Sequence, residues 1–329
     1  MNLQRLRIQN FKSLVDLEII NPNPFTVFVG PNAAGKSNIF EALEFLNFCF
    51  QDFPNRDQLF GGKNLININS SDNRISLNGK INDKAFYFAE YPGEWLHNLP
   101  KDRSDDPMST LYIQSKDDLN LKQLIHRFSR IFVKNEKLEK FNFEDPSKLT
   151  VSARNLEAGL KNILHNADRG EEFLEWVQLF IPEFENIEIH TDNISGADNF
   201  LIYEKHSKKP FNKALISDGT YNILALLTAV FQSDEPQFLC IEEPENGLHP
   251  KVVKELVDFF RSQCEEKGHY IWLNTHSQTL VSQLRPEEII VVNKKEGATQ
   301  IKQFKEEDFH GLDMDEAWLT NALGGGLPW

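Results

Sequence analysis

Residues Phe25-Thr26-Val27-Phe28-Val29-Gly30-Pro31-Asn32-Ala33-Ala34-Gly35-Lys36-Ser37-Asn38 decide the fold. The first five form a nearly continuous apolar run, as expected of a strand covered on both faces in a parallel sheet. After Ser37, residues Ile39, Ala42, Leu43, Phe45, Leu46 and Phe48 recur at helical spacing. Between strand and helix, Gly30 to Ser37 fit G-x-x-x-x-G-K-[ST] at every fixed position. Each fixed residue has a physical task. The glycines let the backbone wrap around phosphate oxygens, and the loop N–H groups and helix N-terminus present positive dipole ends. Lys36 neutralises the β and γ phosphates of a nucleotide, and Ser37 supplies a magnesium ligand.

Working outward, residues 3–8 alternate apolar and polar as a half-buried strand does. Residues 65–88 alternate too, and Asn78-Gly79 and Asn82-Asp83 predict antiparallel hairpin turns. Toward the other end, residues 238–241, 270–273 and 289–292 read as buried strands, and residues 250–266 as a helix stopped by Gly268. These are the parts of a doubly wound α/β core. Three segments follow: 1–88 with the phosphate loop and hairpins, 89–212 as a compact, mostly helical insert, and 213–329 as a C-terminal lobe. Residues 156–165 and 171–180 carry the helical patterns of the insert. Heptads are not sustained, so long coiled-coil arms are not expected.

Leu239-Cys240-Ile241-Glu242-Glu243-Pro244 puts two carboxylates at the C-terminal end of a buried strand, where ligands sit in an open α/β sheet. Glu242 is placed to hold magnesium through water, and Glu243 to orient and deprotonate an attacking water. Ser217-Asp218-Gly219-Thr220 precedes an apolar helix, so the Ser217 side chain and the Gly219 backbone can bind a phosphate. Asn274-Thr275-His276-Ser277 follows a strand and offers an imidazole to a γ-phosphate.

The formal net charge of −14 repels phosphate backbones over the surface as a whole, so a nucleic-acid contact needs a local basic patch. Residues 122–140 hold six Lys/Arg against two Glu, with Phe128, Ile131 and Phe132 between them, and predict an amphipathic helix with a solvated basic face. The three cysteines, Cys49, Cys240 and Cys264, are far apart and predict neither disulfides nor zinc. With no apolar run of about 20 residues and a charged N-terminus, a cytoplasmic protein outside the membrane is expected.

The order of Asn10-Phe11-Lys12-Ser13, Gly-Pro-Asn-Ala-Ala-Gly-Lys-Ser-Asn, Ser-Asp-Gly-Thr, Ile-Glu-Glu-Pro-Glu-Asn-Gly-Leu-His-Pro and Asn-Thr-His-Ser resembles the RecF/SMC/OLD-like ABC-type ATPases. The likeness is greatest to compact bacterial members, often named AAA-family ATPases, that lack a TOPRIM nuclease domain. It implies a P-loop NTPase head of ABC type with an antiparallel β subdomain. It implies ATP and Mg2+ as cofactors, with Lys12, Ser13, Gly30, Asn32, Ala33, Ala34, Gly35, Lys36, Ser37 and Asn38 around the nucleotide. Ser37 and Glu242 attend the metal, while Glu243 and His276 are catalytic. Ser217, Asp218, Gly219 and Thr220 cover the ATP of a second subunit, so a homodimer forms through an ATP sandwich, with higher oligomers left open. Asp218 where transporters have glycine, and His249 where their D-loop has aspartate, argue against a transporter subunit. The Q-loop glutamine is not placed. The resemblance implies an ATP-driven switch that regulates a separate effector, a nuclease or toxin, in defence against phage. The alternative is a RecF-like DNA repair clamp that binds DNA across the dimer. Residues 318–329, with Trp318 and Trp329, read either as a docking tail for a partner or as a flexible terminus, since three consecutive glycines are costly to order.

Overall fold

The computed structural model describes residues 2–50, 56–67, 70, 74–90, 126–139, 148–305 and 314–319. In chain order its first half holds β1 (Leu3–Phe11), β2 (Leu14–Ile20), β3 (Phe25–Val29), helix α1 (Lys36–Phe50), β4 (Ile75–Ile81), β5 (Lys84–Glu90), β6 (Phe128–Ile131), α2 (Leu156–Leu164) and α3 (Ala167–Phe180). Then come β7 (Phe184–Thr191), β8 (Asp198–Glu204), β9 (Phe211–Asn212), α4 (Asp218–Phe231), β10 (Phe238–Glu242), α5 (Pro250–Lys267), β11 (Tyr270–Thr275), β12 (Ile289–Lys295) and β13 (Ala298–Gln303).

The central sheet has six strands in the order β13-β12-β3-β11-β10-β6, parallel except for β13. Successive strand residues point to opposite faces. Val27, Leu239, Ile241, Ile271 and Leu273 therefore pack with α2, α3, α4 and α5, whereas Phe28, Phe238, Cys240, Tyr270 and Trp272 pack with α1 and a second sheet. That second sheet is antiparallel, ordered β2-β1-β4-β5. Phe28 and Phe238 meet the fully buried Trp272 with ring centroids 5.3 and 4.8 Å apart, filling the layer between the sheets. Truncating Trp272 to alanine there costs about 3–5 kcal/mol by lost burial and cavity formation.

Helices α2 and α3 pack on α4, and β7, β8 and β9 form a third, antiparallel sheet beside them. The C-cap of α5 is Gly268 in the left-handed region, as its sequence position predicts. All three cysteines are buried and free.

Two expectations are corrected. Asn82-Asp83 is the β4–β5 turn, with φ of 48° and 65°, but Asn78-Gly79 lies inside β4. Glycine is needed at position 79 for close packing, because a Cβ there would sit 2.1 Å from the Arg5 carbonyl oxygen and 2.7 Å from the Phe86 ring. The second correction concerns the basic stretch 122–140. Within it, Phe128–Ile131 is a strand parallel to β10, buried at every position, because Phe128 and Ile131 belong to the two opposite faces of the central sheet. Its Arg130 is buried rather than solvated. Residues 122–125 and 140 lie outside the described residues, as do residues 320–329 of the docking-tail candidate and the side chain of Trp318.

Candidate functional site

The site forms at the C-terminal ends of β3, β10 and β11, where the two periodicities of strand and helix meet. Counting alternately along β10, Phe238, Cys240 and Glu242 face α1. Asn274 is the register partner of Glu242 in β11 and faces the same way. On α1, Ser37, Glu41 and Glu44 share one face by their i, i+4, i+7 spacing. The carboxylate of Glu242 consequently accepts the Ser37 hydroxyl at 2.6 Å and the Asn274 amide at 3.1 Å on Oε2. Asn274 Nδ2 also lies 3.3 Å from Ser37 Oγ.

The phosphate loop is shaped by contacts that exclude side chains. Gly30 has φ +153°, and a Cβ there would lie 2.0 Å from the Val292 carbonyl oxygen. Gly35 has φ +105°, and a Cβ there would meet Thr299 Oγ1 at 2.1 Å and Ser13 Oγ at 2.7 Å. Ser13 and Thr299 clamp the loop from outside: their hydroxyls are 2.6 Å apart, Asn38 Nδ2 donates to Ser13 Oγ, and Thr299 Oγ1 donates to the Ala34 carbonyl. Asn32 and Ala33 are exposed at the loop tip, Ala33 with φ of 61°. The Lys36 ammonium folds back onto the carbonyls of Gly30 and Pro31 at 2.9 and 3.1 Å. Burial lowers its pKa to about 8, against the opposing pull of Glu243, Glu242 and Glu245.

Glu243 sits in the left-handed region with φ of 46°, held by its N–H donating to the Asn274 carbonyl and side-chain oxygens. That backbone is costly for a glutamate and is typical of constrained functional positions. It turns the partly exposed Glu243 carboxylate away from the strand, where Asn246 Nδ2 donates to it at 3.0 Å. Glu245 is more buried, which raises its pKa even though it accepts from Thr275 Oγ1 and the His276 N–H. The exposed His276 ring is held below the usual histidine value by partial burial and then by the Lys36 charge. Lys36, Glu243 and His276 thus share one electrostatic environment.

Sequence reasoning missed the group that fixes Glu242. Arg130 Nε donates to Glu242 Oε1 at 2.6 Å and its Nη1 to Glu44 Oε2 at 2.7 Å, all three being buried. The two carboxylates outweigh burial and hold the guanidinium above its ordinary pKa. A parallel pair joins Lys12 to Glu41 at 2.7 Å, so the Lys12 ammonium is directed onto α1. Arg130 could have been found in Phe-Ser-Arg-Ile by alternation, with Phe128 and Arg130 on one face, had the strand been recognised.

The residues Ser217, Asp218, Gly219 and Thr220 stand at the start of α4. Ser217 is exposed and caps the helix, its Oγ accepting from the Thr220 N–H at 3.0 Å. Asp218 pairs with Lys134 at 2.5 Å, and the Lys134 ammonium lies 4.9 Å from the Tyr221 ring centroid. Asn222 donates to the carbonyls of Pro244 and Asn246. Among the described residues, the side-chain hydrogen bonds and ion pairs of Ser217, Asp218, Thr220 and Asn222 stay within the segment or go to Lys134 and the loop after Glu243, none of these reaching the phosphate loop of the same chain.

The donor set fits a magnesium ion. Mg2+ takes oxygen ligands at about 2.0–2.1 Å and keeps several waters. A serine hydroxyl whose proton is donated to a carboxylate keeps a lone pair to ligate, and Ser37 has this form, its other lone pair accepting from Asn274 Nδ2. Ser37 would be the direct ligand and Glu242 would act on the ion or its waters. Among the described residues there is no cluster of three or more His, Cys, Asp or Glu suited to a metal. No helix among them is long and apolar enough to cross a membrane.

The family model described as "AAA domain, putative AbiEii toxin, Type IV TA system" matches residues 25–73 and 50–282. An "ATP/GTP phosphatase" of Helicobacter pylori is 21% identical over 92% of this chain and 91% of its own length. The DNA replication and repair protein RecF of Acaryochloris marina is 40% identical over 58 residues, 18% of this chain and 16% of that protein. Among solved structures, the Smc head bound to the C-winged helix domain of ScpA superposes with a TM-score of 0.55 at 16% identity, covering 95% of this chain and all of that one. The Smc head domain with an extended coiled coil bound to the C-terminal domain of ScpA derived from Pyrococcus furiosus gives 0.54 at 13% identity, covering 98% of each. The fold is that of an SMC-type head, a P-loop ABC-type ATPase fold.

Proposed function

The chain belongs to this AAA-domain family, and on that premise we propose that it binds and hydrolyses ATP as a dimer whose closed state is read by a separate effector protein. The observation that carries the reading is the convergence of Lys36, Ser37, Glu242 and Asn274 at one end of the sheet. Lys36 would exchange its two carbonyl contacts for β- and γ-phosphate oxygens, and the loop N–H groups would take the remainder. Bound magnesium would neutralise charge on the β and γ phosphates. Glu243, turned out of the strand by its left-handed backbone, would orient the attacking water and accept its proton. His276, held neutral, could hydrogen-bond the γ-phosphate without adding charge.

Dimerisation is supported by Ser217 and Asp218, which are exposed on their own chain, and by Leu215 beside them, which is 66% exposed. An apolar side chain so placed suits a contact with a second chain. A ligand that binds the closed dimer better than the open state shifts the population, and a partner that recognises one state is thereby switched. The H. pylori relative's name agrees with nucleotide hydrolysis, and the Smc head structures hold a partner domain. An effector acting against phage, a nuclease or toxin, is the partner we propose. The DNA-clamp reading has less support, since the surface carries a net charge of −14 and the RecF likeness covers 18% of the chain.

Glu243→Gln tests this reading. It should leave ATP affinity intact, slow hydrolysis by about 10² to 10⁴ and accumulate an ATP-dependent dimer. Light scattering that reports only monomer with ATP would remove the sandwich.

A further inference from the structure

At the opposite end of the central sheet, a cavity of about 340 Å³ opens between the start of α3, the end of α4 and the end of α5. It lies beyond the first residues of β10 and β11, about 16 Å along the strands from the nucleotide site at 3.3 Å per residue. Val230 and Phe231 of α4 form its apolar wall.

Its inner polar groups include donors that the described residues leave only partly used. Gln263 is 2% exposed, lines the cavity, and its side-chain amide makes no hydrogen bond among the described residues. His269 is 3% exposed; its Nδ1 accepts from the Gln237 N–H at 2.9 Å, so in the neutral ring the proton is on Nε2, which has no partner among the described residues. Burial keeps that ring neutral, with a pKa near 4. Arg169 Nε is buried without a hydrogen-bond partner among the described residues, although the guanidinium forms a 3.6 Å ion pair with Asp234 and donates through Nη1 to the Phe231 carbonyl at 3.4 Å. A desolvated donor left unpaired, as Arg169 Nε is, is costly, which favours an occupant that accepts from it. The outer wall has the opposite sign. Asp168 is exposed, and Asp234, its side chain 68% exposed, turns most of its carboxylate to solvent beside its ion-pair partner Arg169, while Glu172 is paired with Lys267 at 3.1 Å.

We propose that this cavity binds a free α-amino acid, its carboxylate against Arg169, His269 and Gln263 and its ammonium against Asp168 and Asp234. A zwitterion satisfies inner donors and outer acids together. A phosphate dianion would meet the same donors but be repelled by the carboxylates, and an amine alone would leave the donors unpaired.

The test is a titration of the full-length protein, followed by NMR chemical shifts, with glycine, L-leucine, L-glutamate and L-arginine as probes. Acetate, methylamine and inorganic phosphate are the controls. At least one amino acid should saturate with a Kd of about 1 mM or tighter, and acetate and methylamine should each bind at least about tenfold more weakly. Gln263→Leu and Arg169→Met should each weaken amino-acid binding by about tenfold or more, with ATP affinity unchanged. Arg169 is partly exposed in the first turn of α3, so that variant should fold even if the buried Gln263→Leu does not. No saturation by any amino acid would overturn the assignment. So would phosphate binding tighter than every amino acid, or binding undiminished in Arg169→Met.

Discussion

The two ends of the neighbouring strands β10 and β11 handle buried polarity in opposite ways. At the carboxyl ends of the strands, full charges are buried: Lys36, Glu242, Arg130 and Glu44 lie in contact or at one remove. At the amino ends of β10 and β11 the buried polar groups are neutral, with Gln232, Gln237 and His269 joined in a chain of hydrogen bonds, although Glu288 at the start of β12 is buried and paired with Arg261. Desolvating a charge costs several kcal/mol more than desolvating an amide, and an ion pair returns that cost only with good geometry. Stability alone would favour the neutral arrangement at both ends. The charged end is therefore where the fold accepts a cost for chemistry.

Removing Arg130 should break the charged end most severely. Arg130→Met leaves Glu44 and Glu242 without their shared cation, and breaking a buried pair in this way costs about 3–5 kcal/mol. Urea unfolding measures it. Adding Glu44→Leu should recover part of the loss, because an apolar replacement of both partners is often close to neutral. A single-variant cost under about 1 kcal/mol would mean that water screens the cluster, against its burial.

The neutral end should fail through protonation. Burial holds the folded-state His269 pKa near 4, against 6.5 for an ordinary histidine. The unfolded chain therefore binds a proton first as pH falls. The contribution of the neutral ring is complete above about pH 6.5 and is lost progressively down to about pH 4, amounting to about 3 kcal/mol. His269→Asn keeps an acceptor for the Gln237 N–H, and should remove this part of the acid sensitivity between those pH values. Equal pH slopes in wild type and variant would show that the ring is already protonated at pH 5.

Legibility from sequence follows the same division. The phosphate loop, β3, β10, β11 and α5 could be read because each is a short motif or a run with a single dominant period. Glu242 and Glu243 could be read because they end such a run. Arg130 could not, since its strand has four residues and the surrounding lysines and apolar residues also fit a helical stripe. Asn78-Gly79 misled because the dipeptide favoured in tight turns is also what a crowded strand tolerates, and only the nearness of Arg5 and Phe86 decides between them. Gln237 and His269 form a pair only once β10 and β11 are set side by side in register.

The smallest expected effect sharpens the contrast, because the charged end titrates in the alkaline range through Lys36 whereas the neutral end titrates in the acid range through His269. With Lys36 lowered to about 8, its ammonium is largely intact at pH 7 and largely lost at pH 9 in the free protein. A triphosphate set against it favours the charged form, so nucleotide binding above pH 8 must take up a proton. The phosphates are already fully ionised there, with a second pKa of about 6 in phosphate monoesters, and add no titration of their own. ATP affinity should therefore fall by about tenfold, or 1.4 kcal/mol, per pH unit above 8. Calorimetry in buffers of different ionisation enthalpy counts the proton directly: close to one taken up at pH 9 and close to none at pH 7. Uptake that stays near zero at both pH values would mean that the carbonyls of Gly30 and Pro31, with the nearby glutamates, keep Lys36 charged despite its burial.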